Sequence, residues 1–281
     1  MKLRLVDLHN DALTALSQER FSKYLKKCTA SNVNFLASIW TTEMREPMRE
    51  IPEYIKYPVT PYGVPPLFLK GEFLRWHIED AWFLNAQNID ELIALRPFSV
   101  SLTWNANNNL AGGALADGGL TDWGKTVIKK LTAAGILVDL AHLNRKSFFT
   151  VAEILKSRGA KLLCTHTCFA EIHPHPRNLD REQIQTIVDS GGLVGLTLVG
   201  EFLCGKKFAD FEDVYAHVKY FIENFGPDNL AIGTDFFGST NFPKRLKCYK
   251  DFARFRKFLL KKGLSAAVVD KIFCANAYKI L

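Results

Sequence analysis

Eight short apolar runs, rich in β-branched residues, recur along nearly the whole chain, and segments of helical spacing separate most of them. They read LRLVDLH (3–9), VNFLASIW (33–40), FLRWHIE (73–79), FSVSLTW (98–104), ILVDLAH (136–142), KLLCTHT (161–167), LVGLTLV (193–199) and LAIGTDF (230–236). Each is bounded by turn or capping residues, the pattern of buried strands. Between them, Trp123, Val127, Ile128 and Leu131 share one helical face, as do Phe148, Val151, Ala152 and Leu155. Ile184, Ile187 and Val188 follow Asp180 in the same way, and Val214, Val218, Phe221 and Phe225 follow Asp210. Each segment has a side-chain oxygen near its entry and a glycine past its exit (Gly135, Gly159, Gly191, Gly226), the asymmetry of capped helices. Alternating strand and helix predicts a parallel sheet. Eight strands in 281 residues predict an α/β fold, a closed (β/α)8 TIM barrel that takes in residues 1–281 as one domain. A doubly wound open sheet is the competing arrangement, and it would usually carry a glycine-rich phosphate loop after an early strand. GGALADGG (112–119) has the glycines without that pattern.

The segment 41–72 reads differently. It holds Pro47, Pro52, Pro58, Pro61, Pro65 and Pro66, which rules out one long helix and predicts a short helix near 45–57 followed by an ordered loop. A composition 48% hydrophobic and 23% charged is that of a globular protein. The net charge of +7 is moderately basic. Its densest cluster, RFRKFLLKKG (254–263), alternates with Phe255, Phe258 and Leu259, so a half-buried helix with a solvated basic face accounts for it better than a nucleic-acid surface. No secretory leader precedes the first run and none is long enough to span a membrane, so the expectation is a cytoplasmic chain with its six cysteines reduced.

Chemistry-bearing residues collect at the C-terminal ends of the strands. The first carries His9 and Asp11, two apart and therefore on one side. The third carries Glu79, the fifth His142, the sixth His166 and the eighth Asp235. In a parallel barrel all these ends open on one face, where barrel active sites lie. A lone strand-end histidine is usually structural, and a lone aspartate usually a helix cap. Six such residues converging on one face ask for cations, because burying several carboxylates together is costly unless they are neutralised. Mixed imidazole and carboxylate donors suit zinc or a similar divalent ion, and this many suit two ions sharing a bridging carboxylate.

In this order and spacing the motifs DLHND (7–11), HIED (77–80), SLTWNANNNLAGG (101–113), GLTDWG (119–124), VDLAHLN (138–144), CTHT (164–167), PRNLD (176–180), GGLVGL (191–196) and IGTDFFG (232–238) carry a family likeness. The chain resembles the membrane dipeptidase (renal dipeptidase) family of zinc peptidases, within the amidohydrolase superfamily. The resemblance implies a binuclear zinc site, with manganese or another divalent ion as the substitute. His9 and Asp11 would bind one ion and His142 and His166 the other. Glu79 would bridge them, and Asp235, beside the first ion, would serve as general base and proton carrier. Arg177 of PRNLD would hold the free carboxylate of a small dipeptide, a task suited to a planar guanidinium. The two cations would generate a bridging hydroxide from water at neutral pH for attack on the peptide carbonyl. Dipeptides with a C-terminal D-residue fall within this expectation, and a homodimer is one assembly it allows.

The chain departs from the family where LTH becomes LTW, which puts Trp104 in place of a histidine that helps stabilise the developing oxyanion. Indole offers one N–H donor and cannot ligate a metal, so Trp104 either donates through Nε1 or reshapes the pocket. His77, two residues before Glu79, is the candidate to replace the lost histidine, against a reading as a barrel-interior residue. Cys164 reads as core, His173 and His175 as entrance residues or solvent-facing ones, and His217 as structural. Two other readings keep the metal site: hydrolysis of another small amide, acyl-amino acid or lactone, and a non-catalytic metal-bound scaffold.

Overall fold

The computed structural model describes residues 4–55, 75–206 and 208–280. Its eight strands are β1 (Leu5–Asn10), β2 (Val33–Trp40), β3 (Arg75–Glu79), β4 (Ser99–Ser101), β5 (Leu137–Asp139), β6 (Leu163–Thr167), β7 (Leu193–Leu196) and β8 (Leu230–Ile232). They pair in chain order, all parallel, and β1 closes the barrel on β8 through the Asp7–Ile232 pair. The (β/α)8 expectation therefore holds. The predicted helices are Asp122–Ala133, Arg145–Ser157, Arg181–Asp189 and Phe211–Phe225. Thr121, Asn144, Asp180 and Asp210 cap them through side-chain oxygens, and all four predicted exit glycines sit at positive φ, where a side chain would be strained. The basic segment is the helix Phe252–Lys261, with Phe252, Phe255 and Leu259 buried and its lysines and arginines turned outward.

Three strands are shorter than the apolar runs suggest. β4, β5 and β8 end three residues before Trp104, His142 and Asp235, which lie on the turns that follow. His142 and Asp235 have φ of 66° and 63°, in the left-handed region that non-glycine residues seldom occupy. The backbone leaves the ladder there and re-aims each side chain, a kind of strain that concentrates at functional sites. Asn10 is the last residue of β1, and its side chain receives the Ala12 N–H and donates to Tyr249 Oη at 2.8 Å. The early helix is Pro47–Tyr54, shorter than predicted, and the loop expected after it falls outside the described residues.

Packing below the site leaves no room for adjustment. A Cβ on Gly195 or Gly233 would lie 1.9 Å from the Thr165 carbonyl oxygen, directly beside His166 in sequence. His217 is fully buried, accepts the Phe169 N–H at Nδ1 (3.2 Å) and has Nε2 2.9 Å from the Leu203 carbonyl, which fixes the neutral tautomer. Burial pushes it down to about 4 from the ordinary 6.5. The unfolded chain thus binds the proton more readily, so this residue costs stability as pH falls from 6.5 toward 4. Between pH 7 and 4.5, denaturant unfolding should show about 2–3 kcal/mol more loss in the native protein than in His217→Gln, whose amide can make both bonds without titrating. Equal losses would disprove the assignment.

Candidate metal centre and substrate cavity

Glu79, the last residue of β3, lies at the centre of the six strand-end residues. Its Oε2 is 3.5 Å from His9 Nε2, and its Oε1 is 2.7 Å from His142 Nε2 and 3.6 Å from His166 Nε2. The carboxylate therefore turns one oxygen toward His9 and the other toward His142 and His166, and ligand atoms of His9, Glu79 and His166 also lie within 4.8 Å of one another. On the first side His9 Nε2 is 3.2 Å from Asp11 Oδ2, and ligand atoms of His9, Asp11 and Asp235 all lie within 4.8 Å of one another. On the second side the Nε2 atoms of His142 and His166 are 2.9 Å apart. Asn105 Oδ1, 3.0 Å from His142 Nδ1, and Thr165 Oγ1, 2.9 Å from His166 Nδ1, orient these two rings with Nε2 inward.

These groups fit divalent cations. Among the described residues, neither ring nitrogen of His9 nor either oxygen of Asp11 makes a well-directed hydrogen bond, although His9 Nε2 and Asp11 Oδ2 are 3.2 Å apart. Such groups are rare unless something absent from the protein satisfies them. A Cβ on Gly238 would fall 2.2 Å from Asp235 Oδ1 and 2.4 Å from Asp11 Oδ2, so glycine preserves clear space above the two carboxylates. Burial, with Asp11 and Glu79 adding repulsion, pushes the Asp235 carboxyl well above the usual range. Burial works against the charge on His9 too, yet the Asp11 and Glu79 carboxylates hold its imidazolium far above the ordinary value. Three carboxylates thus crowd one buried point, an arrangement that a bound cation would relieve.

A cavity of about 800 Å³ opens over the centre, lined by Asp11, Glu79, His142 and Asp235 and walled by Trp40, Trp104, Phe202 and Phe237. Arg177 reaches it from the loop after β6. It is buried, its Nη2 donates to the His166 carbonyl at 3.4 Å, its guanidinium carbon lies 5.5 Å from the Phe202 ring centre, and its Nε has no partner among the described residues. Trp104 lines the same cavity, 5.5 Å from Trp40 and 6.1 Å from His142 between ring centres. His77 does not take the place of the missing histidine. It is fully buried inside the barrel, 2.8 Å from Ser99 Oγ and 3.2 Å from Ser101 Oγ, and burial lowers it to about 4. Cys164 is core, His175 lines the cavity and accepts the Arg177 N–H at Nδ1, and all six cysteines are unpaired. Sequence reasoning passed over Trp40, Asn105, Asp7 and Asp139. The aspartates had a visible signal, the same tripeptide VDL ahead of His9 and of His142.

The sequence profile of the membrane dipeptidase family (peptidase family M19) matches residues 84–281. The chain belongs to the membrane dipeptidase family. An uncharacterised protein from the pqqA 5′ region of Klebsiella pneumoniae is 30% identical over 219 residues, 73% of this chain and 79% of that one. The dipeptidase aclJ of Aspergillus oryzae is 25% identical over 187 residues, 64% of this chain and 44% of its own length. A metallopeptidase from Rhodobacter sphaeroides, solved with a phosphinate mimic of L-Ala-D-Ala, superposes with a TM-score of 0.84 at 19% identity, over 100% of this chain and 99% of that one. This membrane dipeptidase family member is accordingly a metallopeptidase of the dipeptidase class. No helix among its described residues is long and apolar enough to cross a membrane.

Proposed function

We propose that this chain is a binuclear, zinc-dependent dipeptidase that hydrolyses small dipeptides. The observation that carries the reading is Glu79, whose Oε2 faces His9 while its Oε1 faces His142 and His166. His9, Asp11 and Asp235 would hold one ion, His142 and His166 the other, and Glu79 both. When bound, the ions supply Lewis acidity, which makes water acidic and polarises a carbonyl oxygen. Arg177 binds and orients the substrate by its terminal carboxylate, with Phe202 flanking the guanidinium. Asp235 takes up the proton released as water adds to the scissile carbonyl carbon. It returns that proton to the amine nitrogen as the C–N bond breaks. Trp40 and Trp104 exclude water from one wall. The single-domain extent of residues 1–281 and action inside the cytoplasm belong to the same reading, and a homodimer is compatible with it.

The test is a dipeptide panel, including C-terminal D-residues, with metal-depleted protein and with protein reloaded with zinc or manganese. The phosphinate mimic of L-Ala-D-Ala in the Rhodobacter structure makes L,D-dipeptides the first to try. Hydrolysis should vanish on depletion and return with two equivalents of metal. Activity that survives depletion overturns the mechanism, and loaded protein that cleaves no dipeptide favours the scaffold reading. Trp104→Phe keeps an aromatic side chain and removes the indole N–H. A donor role predicts that kcat falls about 10²–10³-fold, the cost of one oxyanion donor. Unchanged kcat and KM would leave Trp104 as a wall of the pocket.

A further inference from the structure

We propose that Asp7 and Asp139 are twin positioning residues, each locking the ligand set of one metal ion through a threonine on, or two residues beyond, the neighbouring strand. The proposal rests on the two-ion reading above.

The two aspartates occupy equivalent places. Asp7 of β1 stands opposite Ile232 of β8, and Asp139 of β5 stands opposite Leu163 of β6. Two residues beyond each partner comes a threonine, and directly after it a candidate ligand: Thr234 before Asp235, Thr165 before His166. Asp7 accepts the Thr234 N–H at 2.7 Å and the Thr234 hydroxyl at 2.5 Å. Asp139 accepts the Thr165 N–H at 2.9 Å and the Thr165 hydroxyl at 2.6 Å. Each also accepts the N–H two residues along its own strand, from His9 at 3.2 Å and Ala141 at 3.1 Å. A further hydroxyl completes each set, Tyr249 at 2.6 Å for Asp7 and Ser101 at 3.0 Å for Asp139. Both aspartates and both threonines are fully buried.

A buried carboxylate is retained when donors surround it, and bonds to a charged acceptor are the strong ones. Here the threonine and backbone donors come from the two neighbouring chain segments that carry one ion's candidate ligands, and Tyr249 or Ser101 adds a hydroxyl from outside them. Asp7 ties β1, with His9 and Asp11, to the turn that carries Asp235. Asp139 ties the turn that carries His142 to β6 and His166. The second clamp goes one bond further. His166 Nδ1 lies 2.9 Å from Thr165 Oγ1, whose hydroxyl is given to Asp139, so Nδ1 is the donor and Nε2 keeps its lone pair toward Glu79. Neither aspartate lines the cavity. Their action is therefore on ligand geometry and not on substrate.

The clamps predict that the two ions can be loosened separately. Removing a partner that orients a metal ligand typically costs about 10–100-fold in affinity. Zinc titration of metal-depleted protein by calorimetry should give two binding steps in the native chain. Thr234→Val should weaken one step and Thr165→Val the other, each about 10–100-fold, and Thr→Ser at either position should restore the native value. In an Asp11→Ala background Thr234→Val should add little, whereas in His166→Ala it should retain its full effect; Thr165→Val should behave in the opposite way. A native chain that binds fewer than two ions overturns the two-ion reading and this inference with it. A native chain with two ions whose threonine variants keep both affinities, or lose both alike, overturns the clamps alone.

Discussion

Replacing Glu79 with glutamine is expected to lower kcat/KM for any accepted dipeptide by at least about 10³, because a metal centre supplies several kcal/mol of transition-state stabilisation. Glutamine keeps the length of the side chain and its place at the end of β3. It offers one neutral oxygen where the carboxylate offers two charged ones, at 3.5 Å from His9 and 2.7 Å from His142. The amide nitrogen would turn a donor toward one ligand set or the other. Zinc content should therefore drop from two equivalents toward one or none, while the thermal melt of metal-depleted protein stays near that of the native chain. Because Ser38 Oγ is the described hydroxyl partner of Oε2, at 3.4 Å, the variant loses little hydrogen bonding outside the metal centre. A Glu79→Gln protein that holds two ions and works within tenfold of the native rate would rule out a bridging carboxylate.

The sequence announced the barrel through spacing alone, because a parallel sheet covered on both faces needs near-continuous apolar strands and capped helices between them. It announced the convergence of the candidate ligands for a related reason: strand ends share a face, so residues as distant as His9 and Asp235 could be placed together without coordinates. What stayed hidden lies one contact further out. Ser99, Ser101 and Thr165 look like ordinary strand residues, and only the barrel's closure and register show that they surround His77 and Asp139. The strand ends were overestimated because apolarity continues past the ladder: Leu140, Ala141 and Phe236 are buried although β5 and β8 have ended. Left-handed φ at His142 and Asp235 leaves only a weak signature in residue type, since Asp and His enter that region more often than other side chains but far less freely than glycine. Trp104 was visible as a departure, but its packing against Trp40 was not, since the two belong to different strand ends.

Arg177→Met should lower kcat/KM for a dipeptide by about 10²–10³, mostly through KM, as the loss of a paired charge-assisted contact requires. The methionine fills much of the space of the arginine stem beside Phe202, so the change removes charge with limited loss of packing. The informative comparison adds a second substrate, the same dipeptide with its C-terminus amidated. The native chain should prefer the free carboxylate by a similar factor, and Arg177→Met should show almost no preference, because the penalty for the missing carboxylate vanishes once its partner is gone. This cycle separates recognition from damage: a general distortion of the cavity would depress both substrates equally and leave the native preference intact. Burial of the guanidinium makes the prediction stringent. A cation at 4% exposure with an unpartnered Nε among the described residues is costly to maintain in an empty cavity, and a bound anion would repay part of that cost. If KM is unchanged by the substitution, the substrate carries no carboxylate at this point. The reading would then shift to hydrolysis of another amide or a lactone over the same metal centre.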